Sequence, residues 1–318
     1  MTASGKGNLV GIPPEGLVLL VDKPVGPTSF DVVAAVRRAL GERRVGHTGT
    51  LDPLAEGLLP VCVGECTKLV PFLTDCDKQY EATIRLGRET ASGDTDSPTV
   101  SESSDEAISA VTDAAIEAAL VNLRGTIVQR PPAYSAIKVD GKPLYERVRN
   151  GEAVEAPLRT VTVHSLTVLG RDGDRLDVAV SCSKGTYVRS LAIDLGRALG
   201  VGGHVTRLRR TSVGAFQVTE AVTLSDIEAR VPGLIERGLS PAAALRHLPA
   251  AVVSPGLERL IRQGKTPLVE WAPGLHAIFD ADGALVAIAE VDAAAAGVAE
   301  PDGPRRLRVV RGFMAHPA

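Results

Sequence analysis

Residues 160–170, TVTVHSLTVLG, and 175–183, RLDVAVSCS, alternate apolar and polar side chains on either side of the turn RDGD at 171–174. A period of two puts alternate side chains on one face, so the two runs predict paired antiparallel strands. KQYEATIRLGR, 78–88, alternates roughly by two and predicts a longer strand. GLVLLVDKP, 16–24, is a short apolar run stopped by Pro24 and reads as a buried strand, as does LLPVCVG, 58–64. Helical patterns interrupt these strands. In TSFDVVAAVRRALG, 28–41, Val32, Val33, Val36 and Leu40 share one face, with Thr28 or Ser29 to cap the start and Gly41 to stop it. GTYVRSLAIDLGRALG, 185–200, predicts a second helix that opens on Tyr187 and Arg189, and GHVTRLRRTSVGAF, 203–216, returns as a strand.

The chain of 318 residues is long enough for one large core and a smaller one. After about residue 247 its character changes: one helix, PGLERLIRQG, precedes short strands (HAIFD, ALVAIAEV, RRLRVVRGF), which predicts a small β-rich domain over 248–318. Residues 1–14 are expected to form a disordered tail and 15–247 the main domain. Residues 129–152, rich in proline, glycine and basic side chains, read as a mobile insert. The net charge is −3, but 89–123 holds eight acidic residues and no lysine or arginine, so the remainder is basic. Charge distribution, not the total, decides whether a polyanion is a partner. Within this segment 89–105 reads as a loop and 106–125 as one amphipathic helix.

Several chemistries lose their signatures. GKT at 264–266 has Arg259 where a phosphate-binding loop needs glycine, and Pro267 where it needs a helix. The four cysteines, at 62, 66, 76 and 182, form no CxxC pair and read as reduced buried thiols of an intracellular protein. No apolar run approaches the ~18 residues of a membrane span, and no signal peptide is expected. The expected cofactor and metal content is none.

One segment stands apart. RVGHTGTLDPLAEGLLP, 44–60, places His47 and Asp52 in a loop with Gly46, Gly49 and Gly57. An Asp-Pro pair is usually a turn. Here the glycines permit unusual backbone angles or close approach of a ligand, and cationic and aromatic partners exist elsewhere in the chain. His47, set between glycines, suits stacking on a base or touching a phosphate. Tyr80 can be a plain sheet residue. Arg189, at a helix start, suggests a side chain projecting into a cleft.

Six blocks, DKPVGPTS, RRVGHTGTLDPLAEGLLPVCVGECTK, KQYEATIRLG, QRPPAYSAIKVDGKPLYERVRNG, SCSKGTYVRSLAIDLG and GGHVTRLRRTSVGAF, resemble in order those of the bacterial TruB-type tRNA pseudouridine synthases, over roughly residues 16–216. The resemblance implies an α+β fold: a central, mostly antiparallel sheet flanked by helices, plus a small C-terminal PUA-like barrel. It implies isomerisation of uridine 55 in the tRNA T loop to pseudouridine, by base flipping and an essential aspartate. Asp52 matches that aspartate and Arg189 its ion-pair partner, which would keep it ionised. Tyr80 matches a tyrosine that stacks on uracil and assists removal of the C5 proton. Tyr187 and Leu208 fall at further pocket positions, Lys23 and Pro24 in a block that supports the loop. His47 is expected among the flipped bases, and the insert at 129–152 to act as a mobile thumb. Arg37, Arg38, Arg43, Arg44, Lys138, Lys142, Arg147, Arg207, Arg209 and Arg210 are expected to supply charge for the RNA backbone. The expected protein is a cytoplasmic monomer that binds the tRNA T arm, with no membrane and no guide RNA. Two alternatives are a non-catalytic tRNA folding factor and a guide-RNA-dependent relative.

Overall fold

Strand β1 (Leu17–Lys23) is buried almost throughout, and its alternation divides two cores. Leu17, Leu19 and Val21 point into one core, Val18 and Leu20 into another on the opposite face. A strand covered on both faces has no polar stripe, which explains why LVLLV reads as a continuous apolar run. The computed structural model describes residues 11–132, 134–135, 138–139, 142–144, 147, 152, 156–293 and 303–313. Residues 1–10 of the expected tail and residues 133, 136–137, 140–141, 145–146 and 148–151 of the expected thumb lie outside the described residues.

Helix α1 (Ser29–Leu40) begins at Thr28, whose side chain and that of Asp31 cap each other's backbone N–H, and ends at Gly41 with φ 67°. Its buried stripe of Val32, Val33, Val36 and Leu40 lies on the first core. Strands β2 (Val45–His47) and β3 (Ala55–Val63) follow. Then come α2 (Val70–Thr74), β4 (Lys78–Leu86), and the hairpin of β5 (Arg88–Thr90) and β6 (Thr99–Glu102). The single helix expected over 106–125 is two, α3 (Asp105–Ser109) and α4 (Asp113–Val121). The break falls where the Thr112 side chain accepts from the Ala115 backbone N–H, a local bond that starts a new helix instead of continuing the old one. The stretch expected as loop holds the β5–β6 hairpin.

Next are β7 (Gly125–Gln129), the short pair β8 (Lys138–Val139) and β9 (Lys142–Pro143), and the predicted hairpin of β10 (Arg159–Asp172) and β11 (Arg175–Cys182). Helix α5 (Val188–Ala198), β12 (Gly203–Val213), β13 (Phe216–Gln217) and β14 (Val222–Thr223) complete the large sheet. Its order is β14-β1-β3-β12-β4-β11-β10-β7, with β2 on β3 and β13 on β12. Only β1–β14 and β3–β12 run parallel among these pairs, so the sheet is mostly antiparallel as expected. β12 pairs with the start of β3 and β2 with its end.

The short helices α6 (Leu224–Glu228) and α7 (Pro241–Ala244) lead to β15 (Ala250–Val252), α8 (Pro255–Arg262), β16 (Leu268–Val269), β17 (Gly274–Phe279), β18 (Leu285–Val291) and β19 (Arg305–Gly312). These strands form a second, five-stranded sheet ordered β15-β17-β18-β19-β16, a curled half-barrel consistent with a PUA-like domain. Ala277, Phe279, Leu285, Ile288 and Phe313 share the second core with Val18, Leu20, Leu58 and Phe216, so this sheet packs on the back of the large one. The front face, with its helices, is left to form the site.

Candidate active site

The loop between β2 and β3 is clamped on both sides of Asp52. Ser29, at the start of α1 and 1% exposed, accepts from the Leu51 N–H at 2.8 Å and donates to the Leu51 carbonyl at 3.1 Å. On the other side the Lys23 ammonium, fully buried, donates to the carbonyls of Pro24 and Pro27 at 2.8 Å and of Pro53 at 3.5 Å. Burial pushes Lys23 down to about 8. The lysine thus ties the end of β1 to the backbone at Pro53, next to Asp52.

Of the loop glycines, Gly57 has the firmest reason. Its φ is +104°, and a Cβ there would lie 2.3 Å from the Arg210 carbonyl oxygen. The requirement is for close approach to β12, inside the protein. Gly46 has no such constraint: its nearest neighbour to an added Cβ is a side-chain methyl at 3.8 Å.

Asp52 meets Arg189 as expected, Oδ2 to Nη2 at 2.8 Å. Arg189 stands in the first turn of α5, its side chain only 4% exposed, whereas that of Asp52 remains 33% exposed and open to the cleft. The other nitrogen of Arg189, Nη1, pairs with Asp94 at 3.1 Å and donates to the Ser92 carbonyl at 2.9 Å, while Nη2 also donates to the Tyr134 carbonyl at 2.9 Å. A planar guanidinium with donors in fixed directions suits this crossing of four acceptors. Asp94 is itself buried, and accepts from Ser92 Oγ and from the Asp96 backbone N–H. Gln129 fixes the start of α5, its amide accepting from Tyr187 N–H at 2.8 Å and donating to Tyr187 C=O at 3.1 Å.

Opposing influences act on Asp52. Arg189 does pull the Asp52 carboxyl toward its ionised form, but burial, the largest influence, and the neighbouring Asp94 push the other way, and the net shift is upward. Two carboxylates share one guanidinium, so neither has its full field.

Across the cleft stand Tyr80 on β4 and Leu208 and Arg210 on β12. The cleft, of about 310 Å³, is also lined by Asp52, Lys78, Tyr187 and Arg189. That is near the lower end for small-molecule sites and is of a size for one flat ring. Burial pushes the phenols of both Tyr80 and Tyr187 up. Lys78 is buried beside them, donates to the Thr74 and Cys76 carbonyls, and is pushed by burial down to about 8.

The arginines of β12 do not form one basic surface, which corrects their grouping as RNA contacts. Period-two alternation sends Leu208 and Arg210 into the cleft and Arg207 and Arg209 to the other face. There Arg207 pairs with Glu56 at 2.9 Å, and Arg209 with Asp22 at 2.7 Å and Glu56 at 3.5 Å. Arg210 is 2% exposed and donates to the carbonyls of Leu58 at 2.7 Å and Gly49 at 3.1 Å. Arg44 pairs with Glu65 at 2.5 Å, and Arg37 donates to the Val45 carbonyl at 2.9 Å. Arg38 and Arg43 are exposed. Arg147 pairs with Glu152 at 2.7 Å, while the side chains of Lys138 and Lys142 lie outside the described residues. His47 is half-buried, its Nδ1 accepting from the Gly49 N–H at 3.3 Å, and burial lowers its basicity. Its ring stands 5.5 Å from that of Phe30, edge to face at 81°.

Sequence reasoning passed over Asp94, Gln129, Lys78 and Phe30. Asp94 was hidden as one of the eight acidic residues of 89–123. Phe30 offered a usable signal: a phenylalanine on the polar flank of α1, in a chain only 3% aromatic.

Residues 37–188 match the family described as TruB family pseudouridylate synthase (N-terminal domain), and residues 189–247 the tRNA pseudouridylate synthase B C-terminal domain. The tRNA pseudouridine synthase B of Aromatoleum aromaticum is 52% identical over 78% of this chain and 80% of its own length. That of Burkholderia mallei is 42% identical over 90% of this chain and 95% of its own. Among solved structures, a Cbf5-Nop10-Gar1 complex superposes with a TM-score of 0.72 at 27% identity, covering 98% of this chain and 92% of the other. With family motifs running across the cleft and both halves of the large sheet, the chain belongs to the TruB family of pseudouridylate synthases.

Proposed function

We propose that the protein isomerises uridine 55 in the T loop of tRNA to pseudouridine. The observation that carries this reading is the Asp52–Arg189–Asp94 network facing Tyr80 across a cleft sized for one base. The relatives named tRNA pseudouridine synthase B supply the substrate class. The reaction breaks the bond from N1 to ribose C1′, turns the uracil and joins C5 to C1′. It needs a carboxylate at the ribose, and Asp52 is that group, either attacking C1′ or assisting proton abstraction from the ribose. Arg189 orients it. Tyr80 stacks on the uracil and takes the C5 proton, with Leu208 and Tyr187 closing the pocket.

A base inside a folded T loop has to be extruded before it can enter such a cleft. His47 and the segment at 129–152 hold the opened loop, and Arg38 and Arg43, exposed near α1, contribute backbone charge. The protein works as a monomer without guide RNA or cofactor. Residues 15–247 are its catalytic part and 248–318 an RNA-binding one.

Tritium release from a T-arm hairpin labelled at uridine C5 tests the reading, with wild type and Asp52→Asn run without guide, metal or nucleotide. Release by wild type alone is expected. No release by either, from a hairpin that binds, leaves a non-catalytic RNA-binding protein; full release by Asp52→Asn removes the aspartate from the chemistry.

A further inference from the structure

Arg210 is a buried arginine with no carboxylate within 4 Å among the described residues. A guanidinium out of water is costly unless an anion compensates it. What Arg210 has are two backbone carbonyls, Leu58 at 2.7 Å on Nε and Gly49 at 3.1 Å on Nη2. Both belong to the segment that carries Asp52. They use the outer edge of the fork and leave Nη1, which lies 3.6 Å from where a Cβ on Gly49 would stand. Arg210 is also the direct cross-strand partner of Tyr80, β12 against β4, and the two side chains line the same cleft. The charge is therefore held by two carbonyls and stands beside one phenol in the cleft.

We propose that Arg210 is a positioning residue of the isomerisation that acts through Tyr80: its guanidinium holds the phenol oxygen in place and supplies the positive charge opposite it. This rests on the reading of the cleft as a pseudouridine synthase site. The missing counter-anion is the Tyr80 phenolate, formed when the phenol gives its proton to solvent. After C5 has bonded to C1′, its C5–H bond breaks and the proton passes to that phenolate. The electron pair restores the C5=C6 double bond, the C6=N1 electrons move to N1, and N1 takes a proton from water. A phenolate facing Arg210 is compensated in a way that a phenolate in an apolar pocket is not. Burial, the largest influence, pushes the Tyr80 phenol up, and the Arg210 charge pulls it part of the way back.

A purely structural arginine, or one that binds RNA phosphate, predicts different behaviour. The test is single-turnover conversion of the T-arm hairpin by wild type, Arg210→Lys and Arg210→Gln, with hairpin Kd measured in parallel. We expect Arg210→Gln to slow conversion about 100-fold and Arg210→Lys about tenfold, with Kd within about threefold of wild type, in line with the size of general acid–base effects. The decisive arm replaces Tyr80 by a difluorotyrosine, whose phenol ionises more readily. In the Arg210→Gln background this restores about a tenth of the lost rate or more, because it supplies by substituent what the guanidinium supplied by charge. If Arg210→Gln does not fold, the same replacement in Arg210→Lys carries the comparison. Unchanged conversion by Arg210→Gln, a Kd that weakens in step with the rate, or no recovery with difluorotyrosine would each overturn the inference. Wild type that binds the hairpin without converting it would overturn the functional reading and this inference with it.

Discussion

Asp94 Oδ2 lies 3.1 Å from Nη1 of Arg189, on the other arm of the guanidinium from Asp52, whose Oδ2 is 2.8 Å from Nη2. One cation thus serves two carboxylates, one buried and one open to the cleft. Asp94 steadies Arg189 and at the same time pushes the Asp52 carboxyl upward, against the pull of the guanidinium. The two effects separate in Asp94→Asn. Loss of the ion pair loosens Arg189 and lowers the conversion rate, by about 10- to 100-fold for a positioning contact at a reacting group. Loss of the negative charge lowers the Asp52 pKa, so the acid limb of the pH–rate profile moves to lower pH. A rate loss with an unmoved acid limb would mean that the carboxylates are not coupled.

Asp52 itself is predicted to cost stability at neutral pH. Its folded pKa is raised above the ordinary carboxylate value of 3.8, so between that value and the raised one the native state holds more protons than the unfolded state. Stability then falls as pH rises through that window, and the cost is fully present above it. Asp52→Asn should therefore melt higher than wild type at pH 7, and the difference should shrink as pH drops below 4. Calorimetric melts of both proteins at pH 4, 5.5 and 7 check this. A lower melting temperature for Asp52→Asn at pH 7 would mean that the Arg189 attraction outweighs burial after all.

The fold was legible where local pattern and tertiary demand agree. The hairpin of β10 and β11 alternates by two, α1 carries both its caps, and both were readable from residues close in sequence. Asp52, Arg189 and Tyr80 were legible only through resemblance, because nothing local in LDP or in a helix start distinguishes a site from a turn. What stayed hidden depends on residues far apart in the chain. Asp94 and Arg189 are 95 positions apart, and only the passage of the 90–98 segment under α5 joins them. The misplacement of Arg207, Arg209 and Arg210 has a simpler cause: three cations counted as one patch ignore that a strand turns neighbouring side chains to opposite faces.

Gly57→Ala should damage the site from behind. The φ of +104° is one that a Cβ disfavours, and that Cβ would meet the Arg210 backbone at 2.3 Å, so β3 and β12 would have to part. Backbone strain and overpacking together suggest a loss of about 3–5 kcal/mol. Denaturant unfolding of the variant measures it. Gly46→Ala, where nothing lies closer than 3.8 Å, is the control and should stay near wild type. Equal losses at the two positions would refute the argument from close approach.

Phe30 gives the sharpest test of where RNA lies. Its side chain is 72% exposed, an unusual state for a phenylalanine in a chain with so few aromatics, and its ring meets His47 edge to face. The pairing orients His47 and leaves one face of Phe30 to solvent. A base stacked on that face would be held without reading its edge, at about 1–3 kcal/mol by alanine substitution. Phe30→Ala should then weaken binding of the T-arm hairpin by about tenfold, at the low end of that stacking range, with little change in the melting temperature of the free protein, since an exposed ring contributes little to the core. His47→Ala should weaken it by a similar factor. Because each ring orients the other, the double variant should lose less than the product of the two single losses. Fluorescence anisotropy of a labelled hairpin against the four proteins reads the cycle. Unchanged affinity in Phe30→Ala would move the RNA path off the α1 flank and onto the β4 side of the cleft.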